Sequence, residues 1–349
     1  ISDAWSATNY ISPLKITFVI PSSNYTVNSY PSFSETSGTV TIDPGDGSGE
    51  QTLSNSPALG YQYQNPGTYT MIIGKTNDTR QVVSFPISTG FNALSSIAQY
   101  GNAKYTNLTF HGHNSATYDV LATDSPNLSN ASSLTFATTD SSGGLINSNQ
   151  SLANWNTSNI TNLYLSFKGQ KSMSSSLINN WDVSSVTNMR QIFETADISN
   201  QDISNWDVRN VTNFYQAFWN ALGSANLGKW KLNSSLASSA MLNMFGFHQF
   251  NDNDVTDIIS GWAIWIFNNS GPFNITSQVF LQSVTYKIAS QQVITSRALY
   301  NPYGYSTSSL PTLDSSGNFL GNNGWSNAGD ALNYLKGTTA NNGAGWINI

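Results

Sequence analysis

The sequence predicts an α+β, β-rich protein, an N-terminal β-sandwich followed by a leucine-rich-repeat solenoid. Two observations carry this. Stretches near the N-terminus, "KITFVI", "GTVTID" and "TYTMIIG", alternate apolar and polar residues as half-buried strands do. Further on, Trp155, Trp181, Trp206 and Trp230 recur at intervals of 26, 25 and 24 residues, a period in the leucine-rich-repeat range.

In chain order, "DPGDGSGE" (43–50) is a turn between strands, and "NPGTYT" (65–70) puts Pro and Gly ahead of another strand. Strands and turns between about 10 and 90 make up the sandwich. The repeats follow as "LANWNTSNITNLYLSF", "INNWDVSSVTNMRQIF", "ISNWDVRNVTNFYQAF" and "LGKWKLNSSLASSAML". The last copy puts Lys231 where two copies have Asp and loses the Val-Thr-Asn step. Ile203, Trp206 and Val208 fit the Leu-x-x-Leu-x-Leu strand of such a repeat, with Trp206 and Val208 facing inward. Val211, Phe214 and Phe218 fall on one face of a short helix. A strand plus a short helix cannot bury its apolar face alone, so stacking must bury it. Trp206 and Phe214 are therefore expected in the core. Asn188 and Asn213 are expected to bond backbone within the turn.

Charged residues make up only 9% of the 349, against about 25% in ordinary soluble proteins. Net charge is −6, and 13 Lys plus Arg lie scattered singly. No basic stripe forms, which argues against nucleic acid as a partner. Apolar runs are too short for a membrane-spanning helix. Cysteine is absent, which removes disulfides and thiolate sites. Ile1 reads as the start of a mature chain, secreted after signal-peptide removal. Twelve Asn-x-Ser/Thr sequons occur, about as many as so Asn- and Ser-rich a composition yields by chance. Asn24, Asn77, Asn107, Asn127 and Asn274 are the candidate acceptors. Asn156, Asn159 and Asn210 arise from the repeat text itself. Few groups titrate, so the fold is expected to survive near pH 3.

"NQDISNWDVRNVTNF" (200–214) and "INNWDVSSVTNM" (178–189) resemble the repeats of BspA-like leucine-rich-repeat surface proteins. "LSSIAQYGN" (94–102) and "ATDSPNLSNASSLTF" (122–136) resemble that family's opening segment. "DPGDGSG" with "YQYQNPGTYTMIIG" resembles the PKD-like domain that often precedes such repeats, with Pro44 in place of its usual Trp. "DIISGW" (257–262) and "ALNYLKGTTANNGAGWINI" (331–349) resemble a terminal cap. The resemblance implies a PKD-like sandwich at 1–90, a solenoid at 91–265, and an insert with C-terminal cap at 266–349. It also implies surface display and adhesion.

Several clusters are weighed as sites. Asp43, Asp46 and Glu50 could hold Ca²⁺, or their turn could bond local amides instead. Asp252, Asp254 and Asp257 lack the Gly and closing Glu of an EF-hand loop, and read as a solvated loop or helix N-cap. His111 and His113 alternate on one strand face without a third ligand nearby, and His248 is the remaining histidine. No nucleophile elbow or phosphate loop is present, so no enzyme and no cofactor are expected. The ligand-binding face is expected at residues flanking the inward Trp: Asn154, Asn156, Asn180, Asp182, Asn205, Asp207, Lys229 and Lys231. Amides and carboxylates there suit sugar hydroxyls or peptide backbone, or are simply solvated. The leading expectation is an extracellular adhesion or recognition protein, a glycoprotein at a cell or virion surface, binding glycans or surface proteins of a host or neighbouring cell. The alternative is a structural subunit, self-associating in a filament, surface coat or virion spike. A third reading is a secreted hydrolase.

Overall fold

Period-2 alternation in "LKITFVI" makes the first strand, β1 (Leu14–Ile20), with Leu14, Ile16, Phe18 and Ile20 buried and Val19 exposed. The computed structural model describes residues 13–27, 32–33, 39–54, 61–73, 81–84, 94–102, 104–109, 118–137, 146–148, 151–171, 173–223, 226–233, 236, 239–248, 252–270, 298–308, 310–313 and 319–336. Two compact units result: residues 1–160 with 169–177, and residues 161–168 with 178–349. The described chain is β-rich with few helices and open sheets, compatible with the predicted class.

In the first unit, β2 (Thr39–Asp43), β3 (Gln51–Ser54), β4 (Gly67–Ile73), β5 (Leu94–Gln99), β6 (Tyr118–Val120) and β7 (Ile146–Ser148) join β1 in one sheet. Its order is β7-β6-β5-β1-β4-β2-β3. The β1–β4 pairing is antiparallel, from Leu14 opposite Ile73 to Ile20 opposite Gly67. Beyond β5 the pairing turns parallel. This sheet therefore continues past residue 90 without a break. Burying Phe18 on its inner face contributes about 1.5–3 kcal/mol.

The turn at 43–50 is held from within. The Gly45 amide donates to Asp43 Oδ1 at 2.9 Å, and the Ser48 amide to Asp46 Oδ1 at 3.0 Å. Gly45 has φ +78°, and a Cβ there would stand 2.5 Å from the Thr70 carbonyl oxygen, so only glycine fits. Burial pushes the Asp46 carboxyl up, but bonds from Ser48 and Tyr61 outweigh it and hold the pKa below its ordinary value.

In the second unit, successive phrases stack. The amides of Met189, Gln191, Phe193 and Thr195 donate to the carbonyls of Asn213, Tyr215, Ala217 and Trp219, at 2.7–2.9 Å. Those of Phe214, Gln216, Phe218 and Asn220 donate to Ala240, Leu242, Met244 and Gly246. The intervening amides close turns within their own coil, as Ala217 does to Phe214 at 2.9 Å. Phe167, Phe193, Phe218 and Phe245 form a stack with centroid spacings of 5.6, 5.4 and 5.6 Å. Indole N–H groups add a second ladder. Trp206 Nε1 donates to Ile178 O at 3.0 Å, and Trp230 Nε1 to Ile203 O at 2.8 Å.

The expected strand plus short helix is corrected here. Ile203 to Val208 is turn and extended chain, and Val211 to Phe218 is a run of turns with no α-helix. The buried face is the expected one, since Trp206, Val208, Val211, Phe214 and Phe218 are all buried. The backbone differs because φ is positive at every fourth residue, as at Gln191 and Thr195, then Gln216 and Asn220. A helix would satisfy each amide internally and leave none for the neighbouring coil. Asn188 and Asn213 bond within their turns as expected, accepting from the amides of Arg190 and Tyr215 at 3.0 Å. The degenerate fourth copy still receives the full row of bonds from the third.

Two helices follow. In α1 (Asp252–Ser270), Trp262 Nε1 donates to Leu227 O at 2.8 Å, extending the indole ladder. The backbones approach closely at Gly228 and Gly261, where a Cβ on Gly261 would lie 1.9 Å from Gly228 O. Asp252, Asp254 and Asp257 thus belong to the opening of a helix. In α2 (Ala328–Lys336), Asn327 and Asp330 bond each other's amides reciprocally, Asn327 N to Asp330 Oδ2 at 3.2 Å and Asp330 N to Asn327 Oδ1 at 3.1 Å, a capping-box arrangement. Phe267 and Tyr334 join the helices at 5.8 Å. No helix among the described residues is long and apolar enough to cross a membrane.

Candidate binding cleft

Burying each Trp turns its neighbours outward. Asn205, Lys229 and Lys231 are exposed and Asp207 half-buried, beside buried Trp206 and Trp230. A loop from the expected insert closes over this floor. The single Tyr303 Oη proton is shared between the carbonyls of Gly228 (3.2 Å) and Trp230 (3.0 Å), which fixes its ring. Its ring lies 5.7 Å from that of Trp265 and 5.8 Å from that of Tyr305. Between floor and loop lies a cleft of about 520 Å³ lined by Asn205, Asp207, Arg209, Lys229, Lys231, Tyr303 and Tyr305, with Ser204, Trp206 and Pro302.

The electrostatics are organised. Arg209 grips Asp207 with both ends, Nε to Oδ1 at 2.8 Å and Nη2 to Oδ2 at 2.6 Å. That contact, aided by the charge of Lys231, holds the Asp207 carboxyl below its usual range. Lys231 Nζ stands 5.5 Å from the centre of the Trp265 ring. Neither Lys229 nor Lys231 takes part in an ion pair among the described residues. Burial pushes the Tyr303 phenol well above its ordinary value, so it stays a neutral donor.

The residue family described as "Mycoplasma protein of unknown function, DUF285" matches positions 133–258. No curated protein and no solved structure matches the chain. The match agrees with the BspA-like resemblance of the same residues. It spans the cleft floor, Asn205 to Lys231, and leaves out the wall at Tyr303 and Tyr305.

Of the eight residues expected on the binding face, Asn205, Asp207, Lys229 and Lys231 come together here. Asn180 and Asp182 are exposed but lie outside the cleft lining, and Asn154 and Asn156 belong to the first unit. Asn156 and Asp182 accept from the amide and hydroxyl of Ser158 and Ser184. Sequence reasoning missed Arg209, Tyr303 and Tyr305. Arg209 had a signal, as the one basic residue two places after a repeat Asp. The aromatic cluster "YNPYGY" (300–305) marked the loop without saying where it docks.

The other candidates are placed as follows. Asp43 and Asp46 bond loop amides, and among the described residues no group of three or more acidic or histidine side chains could hold a metal. His111, His113, Asn77 and Asn274 lie outside the described residues. Asn24 and Asn127 are exposed, and Asn107 lies in a strand. Asn159 and Asn210 donate from Nδ2 to the carbonyls of Ser129 (3.3 Å) and Ser184 (2.7 Å). His248 fills a core slot that Ala196 and Ala221 occupy in the preceding coils. Burial lowers its pKa to about 4 against the opposing carbonyls of Gly223, Phe218 and Ala221.

Proposed function

We propose that this chain is an extracellular recognition protein that binds glycans at the cleft between the Trp-flanking row and the Tyr303 loop. In this reading the stacked coils are a BspA-like leucine-rich-repeat solenoid, α1 and α2 its cap, and the strands before residue 90 a PKD-like domain. The observation that carries the binding reading is the cleft itself, where two fixed tyrosine rings face side-chain amide, carboxylate and ammonium groups. Aromatic faces cover the apolar faces of sugar rings, and planar polar groups bond their hydroxyls.

Binding without turnover is the accompanying reading. Asp207, the carboxylate in the cleft, is held ionised by Arg209, which unsuits it to general-acid work near neutral pH. The match to a mycoplasma family and the low-charge surface support display at a cell surface.

A glycan array probed with the whole chain tests the reading. Retention on a defined subset of glycans, lost in Tyr305→Ala, is expected. No retention on any glycan by a folded chain would overturn it.

A further inference from the structure

We propose that the cleft selects acidic sugars, with Lys229 and Lys231 receiving a carboxylate or sulfate while Tyr305 and Tyr303 carry the ring. This rests on the glycan reading above and adds the charge of the ligand. The chain is acidic overall, at −6, yet the cleft collects three cations against one anion: Arg209, Lys229 and Lys231 against Asp207. The anion is already spent, because Arg209 engages both its oxygens. Two ammonium groups are left facing the cleft. Asp202, which lies outside the lining, shares the field of Lys229. Lys231 shares the field of Asp207, whose oxygens Arg209 already holds, and stands beside the Trp265 ring.

The wall is preorganised. Tyr303 is tied to two backbone carbonyls, and the Tyr305 hydroxyl accepts from Asn269 Nδ2 at 3.3 Å. Asn301 Nδ2 donates to the Tyr305 carbonyl at 2.8 Å, which fixes the loop between the rings. A ring held in place before binding loses little freedom on contact. Pro302 is the one aliphatic side chain in the lining, and no lining residue belongs to a strand. Peptides commonly use a strand edge or apolar side-chain pockets, and acidic motifs use clusters of arginine. The one arginine here is engaged by Asp207, so an acidic sugar fits better than an acidic peptide.

The test is equilibrium binding of the full chain to four probes: tetragalacturonate, its fully methyl-esterified form, a heparin-derived sulfated tetrasaccharide, and polyglutamate. Tetragalacturonate, the sulfated probe or both should bind at least ~10-fold more tightly than the ester, the scale of one charge-assisted bond. The better of the two tells carboxylate from sulfate. Lys231→Gln should lower that affinity by roughly 3- to 10-fold and flatten its salt dependence, with unchanged circular dichroism. Tyr305→Ala should weaken acid and ester alike. Equal binding of acid and ester would overturn the charge selection while leaving a glycan site standing. Binding of polyglutamate as tight as any saccharide, or of no saccharide at all, would overturn both readings.

Discussion

The sheet of the first unit and the coils of the second bury their apolar residues by different backbone devices. In β1 and β4 every side chain alternates and the ladder runs between adjacent antiparallel strands. In the coils, amides alternate instead, one closing a turn, the next reaching the following coil. The coil side chains bury at i, i+3, i+4 and i+7, as in Phe214, Ala217, Phe218 and Ala221. That spacing is ordinarily read as a helix. A buried period thus reports which residues share a face, while the hydrogen-bond partner decides the backbone.

The largest effect separating the two regions should come from Trp206→Ala. It leaves a cavity beside Phe193 and removes one of two bonds to Ile178 O, which keeps only that from the Trp181 amide at 3.2 Å. A loss of about 3–5 kcal/mol is expected in denaturant unfolding. Phe18→Ala in β1 should cost a similar amount in packing, but with no lost side-chain bond to a neighbouring coil. Ring packing should outweigh the single indole bond, so Trp206→Phe should cost less than Trp206→Ala, and equal losses would break that ranking.

The second effect is pH dependence in the coils through His248. Its folded pKa, about 4, lies below the unfolded value of 6.5. The unfolded chain therefore takes up the proton first. The stability is complete above about pH 6.5 and is lost as pH falls toward 4. Between pH 7 and pH 4.5 the cost is about 2–3 kcal/mol. Asp202 and Asp207, with folded pKa values held below the ordinary 3.8, add losses only at lower pH. Survival near pH 3, expected from composition, now depends on whether the remaining stability exceeds this cost. Denaturant unfolding of native chain and His248→Phe at both pH values decides it, with a much flatter profile expected for the variant.

Asn213→Ala removes the turn bond to the Tyr215 amide and should cost about 1 kcal/mol, in line with lost side-chain caps. Its thermal shift should exceed that of Asp207→Ala. Asp207 makes a longer bond of the same kind, from the Arg209 amide at 3.2 Å, and its pair with Arg209 is partly exposed, so Asp207→Ala should stay within about 0.5–1 kcal/mol. A larger loss for Asp207 than for Asn213 would reverse the ranking of these two turn bonds.

Much of this was legible because the Trp period is explicit. The four tryptophans, the Phe row and the inward valines follow from repetition, and the outward floor of the cleft follows from them. The turn backbone was not legible, since alternating donors leave no mark on side-chain period. Half of the cleft was not legible either. Tyr303 lies 72 residues beyond Lys231 in sequence and belongs to no repeat. Its position is set by a bond shared between two backbone carbonyls, which no composition encodes. The segment 94–102 resembles the family's opening segment, and the strands at 94–99 and 118–120 extend the same sheet as β1.

The bonds between coils have a mechanical meaning. Each coil of the second unit is tied to the next by a row of backbone bonds lying along the stacking direction. Force along that direction opens one row at a time, from the loaded end. Each opened coil frees about 25 residues, or roughly 80–90 Å of extended chain at 3.3–3.6 Å per residue. Tension on such a stack is released in equal instalments, and the remaining coils keep their register while the first one yields.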